Sequence, residues 1–467
     1  MQKLVIHKFG GSCLKDASSF KKTLTILEKF RDNKLIFVCS ALSKMTDYLL
    51  ETAEGVSDRH FEVEDRLAAI KKRHIELVDE VISDTNYRDE AIKFIDSTLK
   101  RLSNTLYGVW EIGLTNRSLD FILSFGERLS TYIYYTYLKA KGEPVEFFSG
   151  DTLIYTNGAF NNALPLFSLT EKTIQEKIEP VLQAGKFPIV TGYISTDTEG
   201  HITTLGRGGS DLTATLLAYS LHIPRRETVV ILWKDVDGLL TAHPKMEPEA
   251  KLIRNISYSE ARELAFFGSK ILHPLCIFPM EKKDIPIQIR NFHNPDQKEF
   301  TTIEASQEKI SGIVKAITFQ DASMITVESD AMVSLPGTAA KVFEILGDAN
   351  INVAMISQGS SENNITFLVE RKFGERAKEA LRKSKFFGQQ WFNIKVENNI
   401  TLLAIVGAGM AYTPGVAGRI FTALGAAGVN VRAIAQGSSE INISIAIESK
   451  DTKQAIHAIH KEFKLGE

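Results

Sequence analysis

Along the larger, first part of the chain, short unbroken apolar runs alternate with longer segments in which apolar residues recur every three or four positions. The unbroken runs are typical of buried strands, and the periodic segments are typical of amphipathic helices. Strands that alternate with helices predict a mostly parallel α/β sheet, with functional loops at the carboxyl ends of the strands. The predicted strands are 4–6, 35–39, 145–148, 187–190, 229–233 and 285–289.

The periodic segments predict helices that cover this sheet. The longest of them, from about residue 58 to 106, is strongly charged, and we interpret its charges as the solvated face of a helical layer. The other predicted helices in this part of the chain are 16–30, 170–183, 212–221 and 257–267.

Beyond a polar segment at 291–307, which predicts a domain boundary, the chain repeats itself. Pro336-Gly337 recurs as Pro414-Gly415, and the loop 358–362 recurs as 436–440, both 78 residues later. Each copy predicts strand, Pro-Gly turn, helix, strand, loop and strand, which is a small α+β unit. Two copies are typical either of a pseudo-symmetric pair with a ligand site between them or of a pure dimerisation module.

Composition narrows the class of protein. The chain has 467 residues, enough for two or three domains, and its 44% hydrophobic and 24% charged residues are ordinary for a soluble globular protein. With a formal net charge of −2, the protein as a whole lacks the positive potential that would attract nucleic acid or an anionic membrane. The three cysteines are far apart and show no metal-ligand spacing, which suits a reducing compartment. Without a membrane-length apolar run or a signal-peptide pattern, we expect a cytoplasmic protein.

Candidate chemistry begins at the end of the first strand, in Lys8-Phe9-Gly10-Gly11-Ser12. Paired glycines allow a sharp turn and bring backbone N–H groups close to a bulky anion, because no Cβ stands in the way. Strand, lysine, glycine loop and helix together predict a phosphate site. The lysine precedes the glycines, unlike that of the nucleotide-binding P-loop, and G-x-G-x-x-G is absent. For this stretch alone, an ordinary turn with a solvent-facing lysine is the alternative.

A second candidate site is Gly206-Arg207-Gly208-Gly209-Ser210-Asp211, at the start of a predicted helix. Glycines at a helix N-terminus favour an anion, and Arg207 offers a bidentate fork suited to a carboxylate. Asp211 either complements the helix dipole or holds a reactive lysine or a metal–phosphate cluster in place. His273, which precedes a proline, is interpreted as structural.

The chain contains five motif-like segments at 8–12, 125–130, 206–211, 233–238 and 268–274. In this order they resemble the signatures of the aspartokinase family, and the repeated tail resembles the two regulatory ACT domains of that family. The Gln-Gly-Ser-Ser-Glu loops most resemble the threonine-sensitive branch, including the kinase half of the fused aspartokinase–homoserine dehydrogenases. The resemblance covers essentially the whole chain.

The resemblance implies an amino-acid kinase fold, a mostly parallel sheet sandwiched by helices, over residues 1–298. Two α+β ACT domains of ferredoxin-like fold are implied at 312–390 and 391–467. The second of these is expected to be able to borrow a strand from about 312–319.

The implied reaction transfers the γ-phosphoryl group of ATP, which carries Mg²⁺, to the β-carboxylate of L-aspartate. The product would be 4-phospho-L-aspartate, the first intermediate towards lysine, threonine and methionine. Lys8 would contact the transferring phosphoryl group, with Gly10, Gly11 and Ser12 beside it, and Asp211 would orient Lys8. No protein ligand to a metal is expected, because phosphates and water would hold most of the Mg²⁺ coordination shell.

The substrate and nucleotide sides are assigned by the same resemblance. Arg207 would bind the α-carboxylate of aspartate and Glu127 its α-ammonium group. The other residues implied at the substrate are Ser40, Thr46, Gly208 and Ser210. Those implied at the nucleotide are Lys234, Asp235, Leu240, Lys245 and Lys270.

Three departures from the family pattern fall on the nucleotide side. Lys234-Asp235 replaces the usual Thr-Asp, Leu240 replaces a frequent tyrosine, and His243-Pro244-Lys245 replaces Asp-Pro-Arg. ATP affinity and nucleotide preference are therefore open, whereas the residues of the aspartate side are intact.

For regulation, the resemblance implies that Gln358 and Gln436 bind an effector amino acid, with threonine favoured over lysine. Asn352 and Asn430 would lie at the ends of the strands that flank the pockets. A homodimer or homotetramer through the ACT domains is expected.

Two other functions compete with this interpretation. The first is a kinase of the same fold acting on glutamate, acetylglutamate or a nucleotide; Arg207 and Glu127 favour a substrate with free α-amino and α-carboxylate groups. The second is a catalytically inactive amino-acid sensor, which the presence of Lys8, Arg207 and Asp211 disfavours.

Overall fold

The chain forms two compact units in the computed structural model, which describes residues 2–266, 272–305, 312–329, 336–358, 363–389 and 391–467. The first unit consists of the described residues of Met1–Leu239, Arg254–Tyr258 and Ile271–Ala305. The second consists of those of Leu240–Ile253, Ser259–Lys270 and Ser306–Glu467. Two segments inside the predicted domain 1–298 therefore belong to the second unit.

Up to residue 305, strands and helices alternate as the hydrophobic pattern predicts. The strands are β1 (Leu4–Phe9), β2 (Lys34–Cys39), β3 (Val145–Phe148), β4 (Phe187–Thr191), β5 (Ile194–Thr196), β6 (Ile202–Thr204), β7 (Thr228–Lys234), β8 (Asn255–Ser257), β9 (Ile287–Asn291) and β10 (Thr301–Glu304). The helices are α1 (Ala17–Phe30), α2 (Met45–Ser57), α3 (Val63–Val81), α4 (Thr85–Ile112), α5 (Asn116–Ala140), α6 (Phe167–Gln183), α7 (Gly209–Leu221), α8 (Tyr258–Phe266) and α9 (Ile277–Lys283). Within the described ranges, the helices lack the combination of length and apolar character that crossing a bilayer requires.

Some predicted bounds differ from those in the structure. The strand expected at 285–289 is β9, which runs over Ile287–Asn291. The charged segment expected to be helical over 58–106 is divided into α3 and α4. The division has a local cause, because the Asp84 carboxylate accepts hydrogen bonds from the N–H groups of Asn86 and Tyr87 and so starts a new helix.

The first unit is built on one eight-stranded sheet in the order β3-β4-β2-β1-β7-β9-β10-β8. All neighbouring strands are parallel except β9 and β10. In β1 every residue is buried, as expected for a strand with both faces covered. The carboxyl ends of β1 and β7 lie side by side, since Phe9 pairs with Trp233.

Aromatic side chains fill the core around β1. The indole Nε1 of Trp233 donates a hydrogen bond of 3.1 Å to Nδ1 of His7. Burial lowers the pKa of His7 to about 3, so this histidine is neutral and belongs to the core. Other rings in contact around it are Phe9, Phe30, Phe37, Tyr134 and Phe292.

In the second unit, corresponding elements of the two repeats are spaced as the sequence repeat predicts. Its strands are β11 (Ala316–Glu328), β12 (Val353–Gln358), β13 (Asn364–Glu370), β14 (Asn393–Val406), β15 (Val431–Gln436) and β16 (Asn442–Glu448). Its helices are α10 (Thr338–Asp348), α11 (Gly374–Lys383), α12 (Val416–Ala426) and α13 (Thr452–Glu462). The pairs α10/α12, β12/β15 and β13/β16 start 78 residues apart.

These strands form one six-stranded sheet in the order β12-β13-β11-β14-β16-β15. The long strands β11 and β14 pair antiparallel at its centre, so the two repeats are related by a pseudo-twofold axis. A register shift between Ala322 and Met324 divides the central ladder into two halves. Residues 316–319, within the segment 312–319 considered as a shared strand, pair with 403–406 of β14, which also pairs with β16.

The segment Leu240–Ile253 is attached to the second repeat inside the second unit. The carbonyl of Thr241 accepts a 2.8 Å hydrogen bond from the N–H of Ile317, and the Thr241 hydroxyl lies 3.0 Å from Nε2 of His460. Glu247 pairs with His457 at 2.8 Å. Helix α8, beyond its first residue, is attached in the same way, through Glu260 to the N–H of Ala408 and through Glu263 to Asn442.

Candidate active site

Three charged side chains meet at the carboxyl ends of β1 and β7. Lys8 is the fifth residue of β1, and its Nζ lies 2.8 Å from Oδ1 of Asp211 in the first turn of α7. Lys234, the last residue of β7, places its Nζ 2.9 Å from Oδ2 of the same carboxylate. The structure thus brings together Lys8 and Asp211, which the sequence analysis paired, and adds Lys234, which it had assigned only to the nucleotide side.

The charges of this cluster support one another despite burial. Burial opposes the charge of Lys8, but Asp211 outweighs it and raises the pKa of Lys8 above the usual value. Burial also opposes the charge of Asp211, but Lys234 and Lys8 together lower its pKa to about 2. For Lys234 burial prevails over the attraction of Asp211, and the pKa of Lys234 is lowered. Asp211 is therefore ionised at any physiological pH.

The two glycines after Lys8 have different structural roles. A Cβ at Gly11 would lie 2.7 Å from the backbone oxygen of Ala41, so only glycine fits there. A Cβ at Gly10 would have room, with Nζ of Lys8 at 3.8 Å as its nearest neighbour. Gly10 therefore leaves open the space beside the ammonium group, and Ser12 follows, partly buried, in the short helical turn Gly11–Leu14.

Glu127 is a buried acid on α5 with one unsatisfied oxygen. Its side chain accepts a hydrogen bond from the N–H of Ala41, but Oε2 has no hydrogen-bond partner among the described residues. Burial raises the pKa of Glu127 to about 8, although Ala41 and the nearby Lys8 act in the opposite direction. A buried carboxyl group of this kind is suited to bind a cation that is supplied by a ligand.

The loop that begins α7 places Arg207 four residues before Asp211. Gly208 has a φ of +75°, and a Cβ there would lie 2.4 Å from Cβ of His273. The Arg207 side chain is exposed, and its guanidinium forms no hydrogen bond or ion pair with any residue that the structure describes. Ser210 is buried against Gly192, where a Cβ would lie 2.5 Å from the Ser210 Cβ. His273 accepts a hydrogen bond from the N–H of Leu275, in line with the structural role expected for it.

Ser40 and Thr46 lie on the segment that follows β2. The N–H of Ser40 donates to the carbonyl of Phe9, and the carbonyl of Ser40 accepts a 2.7 Å hydrogen bond from the Ser130 hydroxyl. Thr46 is partly buried in the first turn of α2. Ser40 therefore lies directly beside the end of β1.

The remaining predicted nucleotide residues differ in exposure and in the unit to which they belong. Asp235 is exposed, 3.6 Å from Nε2 of His293. Leu240, partly buried, and Lys245, exposed, belong to the second unit. Lys270 lies outside the described residues.

The four predicted regulatory residues are exposed at the ends of two equivalent strands. Asn352 directly precedes β12 and Gln358 ends it, and Asn430 and Gln436 have the same positions at β15. Six residues of extended chain span roughly 20 Å, which is longer than an amino acid. Within one repeat, therefore, the asparagine and the glutamine are too far apart to share one small effector.

Sequence reasoning missed Asp120. This carboxylate is fully buried on α5, where its Oδ2 accepts hydrogen bonds of 2.9 Å from the N–H groups of Asn161 and Thr204, and its Oδ1 accepts one of 2.7 Å from the Thr204 hydroxyl. Burial raises the pKa of Asp120. Thr204 ends β6, directly before the loop that carries Arg207. A signal existed in the sequence, because Asp120 precedes Glu127 by seven residues and so shares its helix face.

A cavity of about 450 Å³ in the first unit contains none of the predicted site residues. Among its lining residues are Asp197, Glu199 and His201, whose ligand-type atoms lie within 4.8 Å of one another. The Asp197 carboxylate already accepts hydrogen bonds from the N–H groups of Glu199 and His201 and contacts the His201 ring, so it stabilises the β5–β6 turn.

Comparison with protein families gives two matches. The amino acid kinase family matches residues 3–291, and an ACT domain matches residues 325–384 and 403–463. The first match covers most of the first unit, and the second covers both repeats.

Curated relatives match almost the whole chain. Aspartokinase 1, chloroplastic, of Arabidopsis thaliana is 30% identical over 469 residues, which cover 98% of this chain and 80% of that protein. The bifunctional aspartokinase/homoserine dehydrogenase 1, chloroplastic, of the same plant is 31% identical over 98% of this chain, but the match covers 51% of its own length. The chain thus spans about half the length of several curated relatives that it matches.

Solved structures match nearly the full length of this chain. E. coli aspartokinase III in complex with aspartate and ADP has a TM-score of 0.83 and 26% identity, with 99% of this chain and 100% of that chain covered. The same enzyme with lysine and aspartate gives a TM-score of 0.80 and 26% identity, over 98% of this chain and 99% of that one. Aspartate kinase from Clostridium acetobutylicum gives 0.78 and 28%, over 98% and 100%. These matches confirm the predicted fold class.

Proposed function

Since the chain belongs to the amino acid kinase family, and within it to the aspartokinases, we propose that it transfers the γ-phosphoryl group of ATP to the β-carboxylate of L-aspartate. The observation that carries this proposal is the buried Lys8–Asp211 pair at the glycine loop. The product would be 4-phospho-L-aspartate, which places the protein at the first step towards lysine, threonine and methionine.

The chemistry needs positioning and charge neutralisation more than proton transfer. A carboxylate is already a nucleophile, so no general base is required. Lys8, held by Asp211, would neutralise the phosphoryl group in the transition state, and the N–H groups beside Gly10 and Gly11 would approach its oxygens. Ser12 follows this loop, and Asp235, Leu240, Lys245 and Lys270 complete the nucleotide side that we infer from the family resemblance.

The α-amino and α-carboxylate groups of aspartate would be bound by opposite charges. Glu127 has an unsatisfied buried oxygen for the ammonium group, and Arg207 has a guanidinium free of described partners for the α-carboxylate. Ser40 and Thr46 would adjoin the β-carboxylate, and Gly208 and Ser210 would shape the loop beneath the substrate.

Mg²⁺ would arrive with ATP. In the Lys8 cluster each oxygen of Asp211 lies within 2.9 Å of a lysine ammonium group, so this carboxylate is not available to a metal. The residues present therefore fit an ion that is coordinated mainly by phosphates and water, and its chemistry would be to neutralise phosphate charge.

A coupled assay of ADP release tests the activity. L-aspartate, L-glutamate and acetylglutamate are compared at equal concentration, and only aspartate should be turned over efficiently. Lys8→Ala should lower kcat by at least about a hundredfold while the affinity for an effector amino acid stays unchanged. If the wild-type protein binds an amino acid but phosphorylates none, it is a sensor rather than a kinase.

We propose, further, that the repeats bind an end-product amino acid, with threonine favoured over lysine. Gln358 and Gln436 offer amide groups at the ends of β12 and β15, and a small effector could combine one of them with Asn352 or Asn430 only from the other repeat. Titration with threonine, lysine and methionine in separate assays identifies the effector. Gln436→Ala should weaken inhibition without changing kcat in the absence of effector; inhibition unchanged in this variant would exclude the assignment.

We also propose a homodimer or homotetramer formed through the second unit. The strands that end its sheet, β12 and β15, carry the exposed isoleucines Ile356 and Ile434 at equivalent positions of the two repeats. Apolar side chains on edge strands favour association with another chain. Sedimentation of the wild type beside Ile356→Asp tests this, and a monomeric wild type would contradict it.

A further inference from the structure

We propose that Lys234 is a second cation for the terminal phosphoryl group of the nucleotide, and that it provides the net positive charge of the site. This inference rests on the proposed kinase function and deepens it. Lys234 is one of the residues at which this chain departs from the family pattern, because a threonine usually follows the tryptophan there.

The argument begins with the charges around Asp211. Its two oxygens bind two different ammonium groups, Lys8 at 2.8 Å and Lys234 at 2.9 Å. Two positive charges therefore share one negative charge, and one positive charge has no partner within the cluster. With a threonine in place of Lys234, the remaining pair of Lys8 and Asp211 would be neutral.

The buried cysteines and Glu127 near the cluster do not remove this excess charge. The nearby thiols of Cys13 and Cys276 have pKa values raised by burial, so both are uncharged. Burial also raises the pKa of Glu127, to about 8, so that this acid is mostly neutral near pH 7 without a ligand. An uncompensated cation in a buried site is costly, and an anionic ligand would relieve that cost.

The position of Lys234 also fits a phosphate ligand. It follows Trp233, whose backbone oxygen lies 3.9 Å from the point where a Cβ on Gly10 would be. Its carbonyl accepts a 2.8 Å hydrogen bond from the N–H of Phe292, which fixes the end of β7. The backbone of Lys234 therefore lies next to the glycine loop, and its ammonium group contacts the carboxylate of Asp211, which also binds Lys8.

Because only ATP has a third phosphoryl group, the test compares a triphosphate with a diphosphate. Affinities of the full-length protein for adenosine 5′-(β,γ-imido)triphosphate and for ADP are measured by calorimetry in the presence of Mg²⁺. Lys234→Met should bind the triphosphate at least about tenfold more weakly and ADP within about threefold of the wild type. Lys234→Arg, which keeps the charge, should bind the triphosphate within about threefold of the wild type.

A double variant separates charge from simple structural support. Asp211→Asn in the Lys234→Met background leaves Lys8 as the only charge of the cluster and restores its excess of one positive charge. Affinity for the triphosphate should then rise at least about fivefold above that of Lys234→Met alone, even though kcat stays low. If Lys234→Met does not fold, Lys234→Thr, the residue usual in the family, provides the same comparison.

Three results would overturn the proposal: an unchanged affinity of the charge-removing variant for the triphosphate, an equal loss for ADP, or no recovery in the double variant. Turnover of aspartate by the wild-type protein is measured in parallel. If aspartate is turned over and Lys234 has no effect, only this inference fails. If no substrate is turned over, the proposed function fails as well.

Discussion

In the buried site the pKa values of two carboxyl groups, Asp211 and Glu127, are shifted in opposite directions. Both are buried, which favours the neutral acid. Two lysines reverse the effect for Asp211, whose pKa falls to about 2, whereas for Glu127 burial prevails over the attraction of Lys8 and the pKa rises to about 8. The first group is thus a permanent charge that holds lysines, and the second would become charged if a ligand brought a cation.

The raised pKa of Glu127 predicts a pH dependence of substrate binding. Below about pH 8 the free protein holds a proton on Glu127 that an incoming ammonium group must displace. The KM for aspartate should therefore fall as the pH rises from about 6 to 8, by up to about tenfold per pH unit, while the KM for ATP changes little. Steady-state kinetics over this range, with Glu127→Gln as control, check it. A KM in the wild type that is independent of pH would contradict it.

The same group predicts a gain in stability on substitution. The folded-state pKa of about 8 is higher than the ordinary value of 4.5, so the folded protein holds a proton that the unfolded chain releases between these values. Stability contributed by Glu127 is therefore present below about pH 4.5 and is lost as the pH rises towards 8. Glu127→Gln cannot ionise, and at pH 8 it should raise the free energy of unfolding by about 1–3 kcal/mol. Urea unfolding at pH 5 and pH 8 measures the difference, which should be smaller at pH 5.

At the scale of elements, the glycine loop after β1 combines a packing constraint with an open approach to Lys8. Gly11 is required by the neighbouring backbone of Ala41, whereas a Cβ at Gly10 would meet only ordinary van der Waals contacts, the nearest being Nζ of Lys8 at 3.8 Å. A substitution at Gly11 therefore tests packing, and a substitution at Gly10 tests the access of a ligand to Lys8.

Gly11→Ala should lower the free energy of unfolding by about 1–3 kcal/mol, because the new methyl group meets a backbone oxygen at 2.7 Å. Gly10→Ala should melt close to the wild type and raise the KM for ATP by about tenfold, because its methyl group lies beside the Lys8 ammonium. Thermal melts and kinetics of both variants check this. Gly108→Ala, in the interior of α4 with no neighbour within 4 Å, is the control and should be slightly stabilising. Equal effects of the substitutions at Gly10 and Gly11 would refute the distinction.

Helix α5 presents two buried acids on one face, two turns apart. Glu127 lies near Lys8. Asp120 accepts hydrogen bonds from the N–H groups of Asn161 and Thr204, which are close in sequence to Asn162 and Gly206, two residues that pack tightly together. The helix is rigid, so it sets the spacing between Glu127 and the start of the Arg207 loop. These are the two points that would bind the α-amino and α-carboxylate groups of aspartate.

Asp120→Ala should therefore raise the KM for aspartate about tenfold and leave the KM for ATP within about twofold, because Thr204, directly before the Arg207 loop, loses two hydrogen bonds and Asn161 loses one. Asp120→Asn should stay close to the wild type. Its amide oxygen can accept from Asn161 and Thr204, and its amide nitrogen can donate to the Thr204 hydroxyl. Equal losses for aspartate and ATP in the alanine variant would indicate general destabilisation instead.

For the whole molecule, the division into units differs from the order of the sequence. The segment Leu240–Ile253 and most of α8 precede the repeats in the chain, yet they belong to the unit that contains them. Thr241, Glu247 and Glu260 bind residues of the second repeat. A cut after residue 305 would therefore remove the partners of segments that remain.

A chain that ends at residue 305 should accordingly be unstable. The buried side chain of Ala242 and the partly buried Met246 and Ala250 pack in the core of the second repeat and would be exposed to water. The shortened protein should unfold at least about 10 °C below the full chain or aggregate, as measured by circular dichroism and size-exclusion chromatography. A monomeric, cooperatively folded product with the kcat of the full chain would show that these segments do not need the repeats.

Much of the fold could be predicted because burial leaves a local pattern. Unbroken apolar runs mark the parallel strands, and the repeat of 78 residues predicts the spacing of corresponding elements in the second unit. The break between α3 and α4 was missed because one capping carboxylate at Asp84 outweighs a continuous helical period. The residues Lys8 and Asp211 could be paired in advance only through family resemblance, since 203 positions separate them in the sequence.

The amino-acid sequence by itself determined the alternating layers, the duplicated tail, the glycine loop and the side chains available at it. Only the tertiary structure decided that Lys234 shares the carboxylate of Asp211, that Glu127 is buried with an oxygen unpaired among the described residues, and that Asp120 binds Asn161 and Thr204. The physical reason is that periodicity reports whether each residue faces solvent, which is a local property. Charge balance and pKa depend on distances of a few ångströms between groups far apart in the chain, and those distances exist only after folding.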